Sequence, residues 1–234
     1  MNWMAKVRPA APSLSAGATP AKPGPTAGSA TPSANVRISN GLKEFLWLIS
    51  DVPHGRVLDL GPVWQSTVSF FVDKGYRVST EDLLRTWKVF LSSEEESFRS
   101  APVGTEVQGV SSAALADKFL ENALQYPERS FHGVLAWDLL DYFDPEVTPR
   151  LMERVSQLLH PGGAMLAMFH SRATERFQRY RVIDGQTVEL VSAPTIAVHS
   201  HVFQNREILG LFSDFRSSKT FVGRDQVREA LFLK

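Results

Sequence analysis

The chain has 234 residues, 43% of them hydrophobic and 21% charged, with 25 basic and 25 acidic side chains and no cysteine. The length suits one domain with a tail, and the balanced charge argues against a dedicated nucleic-acid binder. The missing cysteine excludes disulfides, thiolate nucleophiles and cysteine-ligated metals. No apolar run reaches the roughly 18 residues of a membrane span, so no membrane partner is expected. Lys6 and Arg8 precede Pro- and Ala-rich sequence rather than a Leu-, Ile- and Phe-rich stretch, so no signal peptide is expected either. A cytoplasmic location follows as the expectation.

Residues 1–35 differ in composition from the rest. Of these 35, 25 are Ala, Pro, Gly, Ser or Thr, and six are proline. Such a segment buries too little apolar surface to offset its chain entropy, and a disordered tail is expected there. A folded domain is expected over 36–234. Ser39 and Asn40 offer an N-cap, and Leu42, Phe45, Leu46 and Ile49 recur at helical spacing, ending near Asp51 and Pro53. Arg56 to Leu60 reads as a buried strand stopped by Gly61-Pro62, 64–74 as a helix closed by Gly75, and Tyr76 to Thr80 as a second strand. A helix is expected over Leu83–Leu91. Residues 92–110 read as acidic and irregular, with a weak strand near 105–110, and Ser111–Tyr126 as a helix.

Phe131 to Trp137 is the next strand, followed by a helix over Pro145–His160, a Pro161-Gly162-Gly163 turn and an apolar strand over Ala164–Phe169. Asp184-Gly185 marks a hairpin between Tyr180–Ile183 and Thr187–Val191. A last helix over Asn205–Ser213 and a closing antiparallel pair, Ser218–Val222 with Glu229–Leu233, complete the chain. Strand–helix alternation predicts an α/β fold with a parallel sheet covered on both faces. In such sheets ligands sit beyond the carboxyl ends of the strands, here near 59–65, 81–83 and 137–142.

Val57-Leu58-Asp59-Leu60-Gly61 resembles the first motif of the class I S-adenosylmethionine-dependent methyltransferases, an apolar strand, an acid and a glycine turn. Gly75-Tyr76-Arg77-Val78 leads to a second acid, and Asp82 follows Asp59 by 23 residues, close to the family's spacing. Ser130 to Leu140 resembles the fourth motif, and Leu158-Leu159-His160-Pro161-Gly162-Gly163 the turn before the fifth strand. The resemblance runs from about residue 40 to the end. It implies a Rossmann-like, doubly wound sheet of about seven strands, mostly parallel with an antiparallel C-terminal strand. It also implies S-adenosyl-L-methionine as cofactor, and methyl transfer to a small-molecule or macromolecular acceptor that the sequence does not identify.

The cofactor contacts it implies are Asp59, Gly61, Pro62, Val63, Glu81, Asp82, Leu83, Trp137 and Asp138. A carboxylate after the second strand can accept both ribose hydroxyls, a role given to Asp82 with Glu81 as the alternative. Neighbouring strand residues face opposite ways, so one of the two reaches the ligand. Gly61 lets backbone approach the ligand, while Asp59 orders the loop or meets the ammonium through water. Val63 and Gln65 stand where the family repeats glycine, and Val63 is expected to project toward the methionine portion. These departures support an alternative, a catalytically degenerate domain that acts by binding or interaction. No catalytic residue is assigned, although Asp141 and Tyr142 could position an acceptor and His170 could act as a general base. Arg172, Arg176, Arg179 and Arg181 hint at an anionic acceptor. The His199 and His201 pair lacks a third ligand at suitable spacing, so no metal site is expected.

Overall fold

A computed structural model describes residues 35–100, 111–175 and 177–234, all within one unit spanning Ser33–Lys234. The expected tail over 1–35, except its last residue, and the weak strand near 105–110 lie outside the described residues.

The main sheet holds β2 (Arg56–Asp59), β3 (Arg77–Thr80), β4 (Phe131–Trp137), β5 (Leu159–His170), β8 (Ser217–Val222) and β9 (Val227–Leu233) in the order β3-β2-β4-β5-β9-β8. β3, β2, β4 and β5 are parallel, β9 runs antiparallel to β5, and β8 antiparallel to β9. This is the mostly parallel, Rossmann-like order with antiparallel C-terminal strands that the resemblance implies, with six described strands rather than about seven. A second sheet, β1-β7-β6, joins β1 (Val36–Ile38) to the expected hairpin, β6 (Gln178–Val182) and β7 (Thr187–Ser192).

Consecutive residues of the parallel strands feed opposite cores. Leu58, Val134, Met165 and Ala167 enter one cluster. Val57, Leu135, Leu166 and Met168 enter the other. Burial on both faces explains why these strands read as unbroken apolar runs. Helices α3 (Leu83–Arg99), α4 (Ser112–Leu120), α5 (Val147–Leu158) and α6 (Asn205–Leu211) contribute to the first cluster; α1 (Asn40–Ile49) and α2 (Gln65–Asp73) contribute to the second. At Gly133 of β4 an added Cβ would stand 2.6 Å from Phe45 Cζ, so α1 lies on the sheet only because this residue has no side chain.

Three expectations need correction. α3 continues to Arg99 through the acidic stretch read as irregular. Its serines bond back to carbonyls one turn earlier (Ser97 to Ser93, Ser100 to Glu96), and Glu94 pairs with Lys118 of α4 at 2.5 Å. α4 stops at Leu120, and Leu124 takes a left-handed φ of 54°, so the helix does not reach Tyr126. Pro161-Gly162-Gly163 lies inside β5 as an irregularity, with the register against β4 shifting between Phe131 and Gly133.

Candidate functional site

The carboxyl ends of β2 and β4 and the first turn of α3 face one hollow, lined by Gly61, Pro62, Leu84, Trp137, Asp138 and Tyr142 on the main-sheet side. Phe177, Arg179 and Tyr180, at and just before the start of β6, close it from the other side. The space between amounts to about 300 Å³ including the mouth, but the free interior is about 20 Å³, about the room of one water.

Asp59 ends β2 beside Thr80 of β3 and is buried. Its Oδ1 accepts the Gly61 backbone N–H at 2.9 Å and the Trp137 indole N–H at 2.7 Å. Burial raises its pKa to about 6; the two donors oppose that shift, and the charge of Asp82 adds to it. Trp137 adopts φ 50°, and its ring is stacked on Tyr180 at 5.6 Å with 1° between the planes. A Cβ on Gly61 would meet Trp137 Cδ1 at 2.9 Å. In this structure the glycine accommodates the indole.

Glu81 and Asp82 do face different ways. Glu81 turns toward the segment after α4 and accepts the Leu124 N–H at 3.1 Å. Asp82 caps α3 through the Arg85 N–H at 3.3 Å, and its Oδ1 lies 3.4 Å from the Arg179 guanidinium. Leu83 is wholly buried in the core, and Leu84 lines the hollow instead. Val63 is 63% exposed and Gln65 is exposed. Val63, expected to project toward the methionine portion, is not among the residues that line the hollow. Of the basic stripe, Arg179 is engaged with Asp82 and Arg181 with Glu189, while Arg172 is exposed.

Asp138 caps the 3-10 turn Leu139–Tyr142 after β4, and Asp141 lies within it. Burial pushes the Asp138 pKa up to about 7; His170 pulls it back and Asp141 adds to it. Asp141 Oδ2 accepts the His170 backbone N–H at 2.7 Å and lies 2.9 Å from its Nδ1. Burial disfavours a charged His170, but the Asp141 hydrogen bond and the Asp138 charge outweigh it, and the His170 pKa is raised. His201 turns away from this cluster to Glu207 at 3.0 Å. Sequence reading singled out Arg179 within the basic stripe but missed Tyr180 and Phe177 as walls of this hollow. Only their place in a hairpin signalled them, and nothing local says where a hairpin docks.

No protein-family model and no curated protein matches the chain. Among solved structures it is similar to an S-adenosylmethionine-dependent methyltransferase from Mesorhizobium loti, at 14% identity and TM-score 0.44 over 82% of this chain and 98% of that one. It is also similar to 1,6-didemethyltoxoflavin-N1-methyltransferase from Burkholderia thailandensis, with bound 1,6-didemethyltoxoflavin and S-adenosylhomocysteine. That match has 14% identity and TM-score 0.43 over 83% of this chain and 76% of that one. A third is the glycopeptide N-methyltransferase MtfA complexed with S-adenosyl-L-methionine, at 17% identity and TM-score 0.38 over 86% of this chain and 97% of that one.

Proposed function

We propose that the folded unit is an S-adenosylmethionine-dependent methyltransferase of the class I type, acting in the cytoplasm on an unidentified small-molecule or macromolecular acceptor. The observation that carries this reading is the meeting of Asp59, the Gly61 turn and Asp82 at the carboxyl edge of adjoining parallel strands. A ligand of an open α/β sheet belongs at that edge, and a carboxylate after the second strand suits a ribose diol.

The side chains suit the cofactor in kind, but the room does not. Small-ligand sites enclose about 300–1,000 Å³, against a free interior of about 20 Å³. Arg179 holds the carboxylate that would take the ribose, and Tyr180 lies on the indole beside the glycine turn. Entry of an adenosyl group requires Arg179 to leave Asp82 and Tyr180 to unstack from Trp137. Those same two contacts favour a second reading, an interaction domain on this fold whose hollow stays filled from within.

Calorimetric titration of the full chain with S-adenosylhomocysteine separates the two. The methyltransferase reading expects micromolar binding that weakens at least about tenfold in Asp82→Ala, or about 1.4 kcal/mol. It also expects tighter binding in Tyr180→Ala, because the stack no longer has to open. Absence of heat in both the native chain and Tyr180→Ala would leave the interaction domain as the reading.

A further inference from the structure

Next to the hollow, at the carboxyl ends of β4 and β5, several buried polar atoms are left without partners. Asp141 is wholly buried, and its Oδ1 has no hydrogen-bond partner. The Oδ2 of Asp138, also buried, has none and lies 3.9 Å from His170 Nδ1. Both ring nitrogens of His199 are shielded and unpartnered. The His199 ring meets that of His170 edge-on at 4.8 Å and that of Tyr142 at 4.8 Å. The ligand-type atoms of Asp141, His170 and His199 all lie within 4.8 Å of one another. Native interiors rarely leave one such atom unpaired, and a cluster of them calls for a missing occupant.

The chemistry of the cluster selects the occupant. Two carboxylates face His170, which shares a proton with Asp141, and His199 stands beside them with both ring nitrogens unpartnered. A water molecule would supply two hydrogens and no net charge. Arg179, whose charge reaches Asp138, is engaged with Asp82. A cation would instead offer a bond to each orphaned lone pair and balance the carboxylates. Two imidazoles with carboxylate oxygen form a nitrogen–oxygen set suited to zinc, manganese or iron rather than to magnesium or calcium, whose ligands are all oxygen.

We propose that Asp141, His170 and His199, with Asp138 beside them, bind a divalent first-row transition-metal ion. In the tetrahedral shell of zinc, two ligands at 2.0–2.2 Å from the ion stand about 3.4 Å apart. The widest separation, within 4.8 Å, therefore closes by up to about 1.4 Å, which falls to a rotation of the His199 ring, restrained by no hydrogen bond. The ion enters between His170 Nδ1 and Asp141 Oδ2 and displaces the proton they share. It touches neither Asp59 nor Asp82, and its three ligands do not line the hollow, although Asp138 beside them does.

The test uses the full chain, stripped with chelator and titrated with Zn²⁺, Mn²⁺ and Mg²⁺, with bound metal read by elemental analysis. The expected result is one equivalent of Zn²⁺ per chain, with Mg²⁺ at least about a hundredfold weaker. Affinity should drop about a hundredfold in His199→Gln and in His170→Gln, and remain unchanged in His201→Gln. Co²⁺ supplies a second readout, a visible absorption band lost in His199→Gln while the far-ultraviolet circular dichroism is retained. Zinc retained at one equivalent in both the His170 and His199 variants, or no stoichiometric uptake by the native chain, would overturn the site and leave ordered water as its occupant.

Discussion

The Asp59 carboxylate illustrates how a single buried charge opposes stability. Fully buried, it has its pKa raised from 3.8 to about 6. An acid raised in the folded state binds more protons folded than unfolded between those values. Its contribution to stability is therefore fully present below about pH 4 and lost as pH rises through about 6. Asp59→Asn keeps an acceptor for the Gly61 and Trp137 N–H groups and removes the buried charge. The variant should be more stable than the native chain at pH 8, by up to about 3 kcal/mol, with the advantage gone by pH 4. Denaturant midpoints at pH 4, 6 and 8 measure it, and a gap that does not change with pH would refute the buried-charge account. The acid's place at a strand end before glycine is visible in the chain. Its indole partner, 78 residues away, is not.

Among the elements, β1 shows how a three-residue strand with no periodicity of its own becomes structurally decisive. Arg37 is nearly buried and pairs with buried Glu229 of β9 at 2.7 Å, and it stands 3.1 Å from Asp225. Glu229 also accepts the Gly41 N–H at 2.6 Å and so serves the first turn of α1 together with Ser39, whose hydroxyl accepts from Leu42. Arg37→Leu leaves that carboxylate buried without its cation, which costs about 3–5 kcal/mol. Urea unfolding should show the loss, and Arg37→Leu with Glu229→Gln should recover part of it. α3 teaches the complementary lesson. Its last two turns are rich in serine and glutamate and poor in apolar residues, which hides the helical period although glutamate favours helix, and Glu94 pairs with Lys118 on α4.

At the scale of the molecule, the arrangement of two sheets decides what the hollow can hold. The hairpin is tied to the main body where Val182 N–H bonds to Thr67 Oγ1 of α2 at 3.0 Å, and where β1 joins it to Glu229. Thr67→Val leaves that buried N–H unpaired, a cost of about 1–3 kcal/mol. Amide exchange over residues 178–192 should quicken by roughly tenfold to a hundredfold, since each 1.4 kcal/mol is about a factor of ten. The amides of β4 and β5 should keep their protection. Equal acceleration in both regions would mean that the hairpin opens only with the whole fold.

The chain's own patterning determined the parallel strands, the helices between them, the hairpin and the meeting of Asp59 and Asp82 at one edge. Burial on both faces writes long apolar runs, and turns require glycine, proline or acid at set places, so these features are local. Tertiary structure alone decided that β6 closes the hollow, that Arg179 takes Asp82, and that His199 arrives beside Asp141 and His170. Those outcomes join residues far apart in sequence, 29 positions for Asp141 with His170 and 97 for Asp82 with Arg179. They follow from the packing of one layer on another, and no local periodicity encodes that.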